Sequence, residues 1–178
     1  MTPPTAFLDA CVLFPPLVRR ILLGVADLDL FRPQWSQRVL DEWQIAVARR
    51  GGDEDDVIAA RSVMARRFPN SRIDADPEIE ATISLPDSTD NHVAAAAHSA
   101  DFLVTFNLRD FPRRSMQALQ TEPRHPDSFL WELWSTAPEP VVEAVDNILI
   151  EMGIDANRKR AVLKNARLPR LGKALATT

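Results

Sequence analysis

Two short apolar runs, TAFLD at residues 5–9 and DFLVTF at 101–106, constrain this chain more than any other feature. Each is too short for a helix, and each is followed at once by polar loop residues. Such runs, bounded by turn signals, read as strands buried on both faces. Between them the pattern turns helical. Pro15 and Pro16 suit a first helical turn, where their missing N–H groups cost nothing, and Val18, Ile21, Leu22 and Val25 keep helical spacing to about residue 26. LDLFRP at 28–33 reads as a second short strand, and Ser36 as the N-cap of a helix that reaches about residue 49 before Gly51 and Gly52 stop it. A helix over 53–68 opens with acids and closes with Arg66 and Arg67, as the macrodipole favours. Residues 79–85 fit a helical turn or a strand equally, and 88–100 form a small Ala-rich helix.

Strands alternating with helices in this way predict an α/β fold with a doubly wound parallel sheet. After about residue 121 the strands are expected to stop, leaving three helices at 128–134, 139–152 and 155–167. The expected organisation is a 1–120 α/β domain and a 121–178 C-terminal helical extension.

Apolar residues at 46% and charged residues at 26% are a globular composition. A single cysteine, Cys11, allows no internal disulfide and no cysteine zinc cage, which suits a reducing cytoplasm. No apolar stretch is long enough to span a bilayer, so a cytoplasmic protein without membrane attachment is expected. The net charge of −4 does not itself indicate nucleic acid, but its distribution is uneven. Residues 73–91 hold six acids and no Lys or Arg, whereas 156–178 hold seven bases and no acid. That asymmetry suggests an acidic site and a basic tail facing a polyanion or partner.

Ligands of open α/β sheets sit beyond the carboxyl ends of the strands. Asp9 ends the first strand; Asn107 and Asp110 follow the 101–106 strand at the same edge. Asp90 falls in the first turn of the helix leading into that strand. Glu42 lies in VLDEWQIAV, beside a stripe marked by Val39, Ile45 and Ala46, and should face inward more than Asp41. Four carboxylates at one edge repel one another unless something neutralises them. Mg²⁺ or Mn²⁺ would do so with oxygen ligands and retained waters, and the absence of a Cys or His set disfavours zinc. Such a site supports attack of an activated water on a phosphodiester. Taken singly the acids have plainer readings: Asp87 as an N-cap, Asp90 as a helix-start charge, Asp9 as a turn former.

FLDACVLFP, VLDEW, LPDSTDNHVAAAA and LVTFNLRDFP resemble, in order and spacing, the motifs of PIN-domain nucleases, in particular the VapC-like toxins of bacterial toxin–antitoxin pairs. The resemblance covers residues 6–112. It implies a PIN-like three-layer α/β/α domain and a Mg²⁺- or Mn²⁺-dependent endoribonuclease. It assigns the acidic positions to Asp9, Glu42 and Asp90. Asn107 stands where many relatives carry Asp, and Asp110 supplies the carboxylate. Asp9, Asp90 and Asp110 are then the metal ligands, Glu42 and Asn107 complete the catalytic set, and Thr105 and Asp87 support it. Arg109, Arg113 and Arg114 are the expected nucleic-acid contacts. An RNA substrate, a cognate antitoxin and a homodimer are the expected partners.

His92 and His98 read as surface or packing residues, Trp131 and Trp134 as a packing face rather than a base-stacking pair, and Cys11 as a small buried hydrophobe. A haloacid-dehalogenase-type phosphatase needs a second Asp two residues after the first, where this chain has Cys11. A phosphoacceptor receiver domain needs a suitably placed Lys, and all three lysines lie beyond residue 152. A PIN-like binding module without activity would be favoured by loss of an acid; all four are present.

Overall fold

The computed structural model describes residues 2–176; Met1, Thr177 and Thr178, at the outer ends of the two expected regions, lie outside the described residues. Four strands, β1 (Thr5–Leu8), β2 (Arg32–Gln34), β3 (Phe102–Val104) and β4 (Glu122–Arg124), form one sheet in the order β2-β1-β3-β4. Every pairing is parallel, with Leu8 opposite Val104 at the centre. The α/β expectation therefore holds. The chain leaves β1 toward β2 on one side and leaves β3 toward β4 on the other. The loops beyond Leu8 and Val104 thus diverge and open a crevice between them.

The expected end of the strands near residue 121 is corrected by β4, which pairs with β3 through Leu103 opposite Pro123. Its sequence, EPR, carries no apolar alternation to announce it. Pro123 is tolerated because β4 is an edge strand, with one side free of ladder bonds.

Helices fill the connections: α1 (Ala10–Leu13) and α2 (Pro16–Ala26) follow β1, and α3 (Gln37–Arg49), α4 (Glu54–Arg67), α5 (Pro77–Thr82) and α6 (Asn91–Ala96) lead to β3. Then come α7 (Arg113–Gln117), α8 (Pro126–Thr136), α9 (Pro138–Glu151), α10 (Lys159–Asn165) and α11 (Pro169–Ala174). Ser36 caps α3 as expected, its Oγ accepting from Val39 N at 3.2 Å. The ambiguous segment resolves as the helix α5, capped by Asp76. On α3 the buried residues are Val39, Leu40 and Trp43, while Ile45, expected inside, is half exposed.

The C-terminal helices share the core rather than standing apart from it. A single apolar cluster runs from Ala6 through Phe129, Val145 and Leu163 to Leu175. Phe129 of α8 meets Phe31 edge-on at 5.0 Å and Phe102 of β3 at 5.6 Å. A fully buried Phe of this kind stabilises by about 1.5–3 kcal/mol. Arg19 of α2 ties the end of α1 down. Its Nη1 donates to Leu13 O at 2.5 Å, and its guanidinium lies 4.5 Å from the Trp43 ring centroid. No helix among the described residues is long and apolar enough to cross a membrane.

Candidate functional site

The crevice between β1 and β3 is lined first by Asp9 and Thr105, the residues that directly follow the two central strands. Asp9 N donates to Val104 O at 3.2 Å, which fixes the Asp9 backbone against the neighbouring strand end. The Asp9 carboxylate is buried, 7% exposed. Thr105 Oγ1 donates to Asp9 Oδ2 at 2.7 Å and accepts from Asn107 N at 3.0 Å. Thr105 therefore holds both the first acid and the loop that carries Asn107 and Asp110.

Cys11 does more than fill space. Its Sγ lies 3.1 Å from Asp9 Oδ2 and 3.3 Å from Thr105 Oγ1, and accepts from Phe106 N at 3.2 Å. Burial pushes the thiol pKa up, and the Asp9 charge adds to the effect, so Cys11 stays a neutral S–H. The expectation of a plain buried hydrophobe is corrected: Cys11 stitches the loop after β3 to the loop after β1.

Asp87 and Asp90 divide the work at the next loop. Asp87 caps the 3₁₀ turn Ser88–Asp90, accepting from Thr89 N at 2.9 Å and from Thr89 Oγ1 at 2.7 Å, and these bonds hold its carboxyl below the ordinary range. Asp90 begins α6 without any side-chain capping bond. Its carboxyl is instead pushed up to about 6, first by burial and then by the charges of Asp9, Asp87, Asp110 and Glu42. Burial is also the main cause that raises Asp9, with Glu42 adding to it. Like charges thus converge on one edge, as the sequence predicts. No Lys or Arg pairs with Asp9, Asp90 or Asp110 among the described residues.

Glu42 reaches the group from α3 and meets a residue not assigned to it from the sequence. His92, 1% exposed on α6, places Nε2 2.6 Å from Glu42 Oε1. The oxygen lies off the line of the ring N–H, so the two touch without an aligned hydrogen bond, and Nδ1 has no partner. His92 is a packing residue, as expected, but it packs against an acid of the group. A polar residue directly before the apolar stretch VAAAA is the available signal, but only the fold brings α3 against α6.

The expected basic contacts are not all at this edge. Arg113 is exposed and turns toward Glu122, at 3.6 Å, where β4 begins, the opposite end of the sheet from the acids. Arg109 and Arg114 are exposed on the loop after β3 and on α7. A cavity of about 950 Å³ between α2, α4 and α9 touches none of the four acids. A cleft of about 520 Å³ is lined by one of them, Glu42, with Asn107, and is closed by Arg50, Asn165 and Arg167.

Among the described residues, no three His, Cys, Asp or Glu side chains are close enough to form a ready-made metal cage. The donors are all carboxylate or amide oxygens, and among the described residues no Lys or Arg pairs with Asp9, Asp90 or Asp110. That chemistry fits a hard cation that keeps much of its water and takes only one or two carboxylates directly. It does not fit zinc. Compared with models of protein families, with curated proteins and with solved structures, the chain matches none.

Proposed function

We propose that this chain is a divalent-cation-dependent endoribonuclease with a PIN-like catalytic domain, acting as the toxin of a toxin–antitoxin pair. The observation that carries the reading is the unneutralised carboxylate group at the switch point, where Asp90 is pushed up to about 6 by burial and by four neighbouring acids. The resemblance of LPDSTDNHVAAAA and LVTFNLRDFP to PIN-domain motifs supports RNA as the substrate. The antitoxin and a homodimer are proposals from the same resemblance.

Asp9, Asp90 and Asp110 would hold Mg²⁺ or Mn²⁺, one or two of them directly and the rest through its waters. When bound, that ion supplies positive charge for the phosphate and acidifies water. The chain's own residues do the rest. Thr105 and Cys11 keep the Asp9 carboxylate in one orientation. Asn107, anchored through its backbone N–H, offers an amide to the substrate. Glu42, whose Oε1 lies 2.6 Å from His92 Nε2, would take the proton of the attacking water.

The test is cleavage of a labelled single-stranded RNA in Mn²⁺, in Mg²⁺ and in excess chelator. Cutting in either metal, none in chelator, and loss of roughly 10²–10⁴-fold in Asp9→Asn are expected. Equal cutting in chelator, or by Asp9→Asn, would overturn the reading.

A further inference from the structure

The cleft beside Glu42 has a wall that the catalytic reading does not use. One side is α1 and the end of α3, with Phe14 and Arg50; the other is the end of α10, with Asn165, Ala166 and Arg167. The two arginines are held alike. Arg50 lies over the Phe14 ring at 4.6 Å from its centroid, and Arg167 over Phe106 at 4.2 Å. Neither meets a carboxylate at ion-pair distance among the described residues. A guanidinium resting on a ring gives up side-chain freedom in advance, while its N–H groups remain available to an anion.

Arg167 is also held where arginine is a poor choice. It follows α10 at φ 63°, with Arg167 N donating to Lys164 O at 3.0 Å and Leu168 N to Leu163 O at 2.8 Å. This is the Schellman ending, whose left-handed position is normally glycine because a Cβ is strained there. Asp29, Ser99 and Gln120 share that backbone region, but none of them lines the cleft. A strained cation beside the candidate catalytic group is an outlier that calls for a function.

We propose that the cleft is a channel for a single-stranded phosphodiester backbone, gripped by Arg50 from the α/β part and Arg167 from the C-terminal helices. This rests on the nuclease reading and deepens it: the C-terminal helical region becomes half of the substrate site. Glu42 and Asn107 lie on the channel wall, so a strand held by the two cations passes Glu42, one of the four acids. An acidic peptide arm offers the same charge without the phosphates' bidentate geometry and is the occupant to be excluded.

The experiment measures binding of a labelled single-stranded RNA of about ten nucleotides by fluorescence anisotropy. It uses Asp9→Asn protein, to prevent cutting, with Arg50→Ala, Arg167→Gly or the distant control Arg20→Ala added. Polyglutamate is the second probe. Each cleft substitution should weaken RNA binding roughly 3- to 10-fold and make the salt dependence shallower by about 0.7 in log–log slope. Arg20→Ala should do neither. Arg167→Gly should melt no lower than its parent, since glycine accepts φ 63° freely, so its lost affinity cannot come from misfolding. RNA affinities and salt slopes equal to the control overturn the channel, as do variants that lose only polyglutamate binding. If wild type with Mn²⁺ cuts RNA, the arginine variants remade with Asp9 intact cut as it does, and their Asp9→Asn counterparts bind as the parent does, the channel falls alone. If wild type does not cut but both variants still lose RNA affinity, the nuclease reading falls and the channel stands. No RNA binding by any form overturns both.

Discussion

Asp9 and Asp127 are buried to nearly the same degree, 7% and 8% exposed, yet they are opposite kinds of carboxylate. Asp127, in the first turn of α8, accepts from Arg170 N and Leu171 N at 2.9 Å each, both in the first turn of α11. Its charge is answered by two backbone donors and by the positive end of the helix they start. It joins α8 to α11 and is complete. Asp9 accepts from a hydroxyl, a thiol and the Ala10 backbone N–H, yet burial and the neighbouring Glu42 still raise its carboxyl. Burial alone therefore says nothing about role. The surroundings do: Asp127 is satisfied by two backbone donors, whereas Asp9 sits among other acids, as the proposed cation site requires.

The largest expected effect that sharpens this contrast is catalytic. Asp9→Asn should lose cleavage by roughly 10²–10⁴-fold while melting no lower than wild type in chelator. Asp127→Ala should do the reverse. It strands two buried N–H groups and costs on the order of 2–4 kcal/mol, a fall of roughly 5–12 °C in thermal denaturation, with cleavage per folded molecule retained. A variant pair showing equal losses in both readouts would dissolve the distinction. Thr105→Val keeps the shape but removes the Asp9 donor and the Asn107 N acceptor. About 1 kcal/mol of stability and roughly tenfold in cleavage should be lost, read from denaturant midpoints and initial rates.

The smallest effect is on pH. The folded-state Asp90 carboxyl sits above its ordinary value, at about 6, so the native state holds the proton more tightly than the unfolded chain. In chelator, stability from this group should fall as pH rises from about 4 to about 6, and level off on either side. Asp90 is partly solvated, so screening reduces the change to ~1 kcal/mol. Asp74, Asp87 and Asp101 are shifted down by hydrogen bonds and act oppositely, losing stability as pH falls below the ordinary carboxylate range. Subtracting the Asp90→Asn curve isolates the Asp90 part. Identical curves would mean that Asp90 is solvated and uncrowded.

How much of this was legible depends on whether the signal was local. β1 and β3 announce themselves as apolar runs with a polar loop behind them, and that same punctuation marks Asp9, Asn107 and Asp110. The role of Asp87 follows from residues two positions apart. β4 was missed because an edge strand three residues long, Glu-Pro-Arg, is held by backbone bonds to β3 and needs no apolar pattern. α11, LPRLGKA with its glycine, has weak helix propensity and depends on Asp127, 43 residues earlier, to cap it. Contacts of Cys11 and His92 likewise join distant segments. Within the basic tail, expected to face a polyanion or partner, Lys159 pairs with Asp146 at 2.7 Å and Arg170 covers Trp131 at 3.5 Å. Trp134 packs against the core, as the packing reading expects.

The claim that Asp9 and Asp90 form a cation site, and Asp127 does not, is tested most directly by Mn²⁺ itself. Four proteins, wild type, Asp9→Asn, Asp90→Asn and Asp127→Asn, are melted in chelator and in Mn²⁺ at ten times its wild-type dissociation constant. Mass action stabilises a one-site protein by about 1.4 kcal/mol under that condition, which raises the melting temperature by roughly 3–6 °C at this chain length. Wild type and Asp127→Asn should both show that rise, whatever their starting points, and Asp9→Asn and Asp90→Asn should show little of it. An equal rise in all four proteins, or none in wild type, would contradict the account.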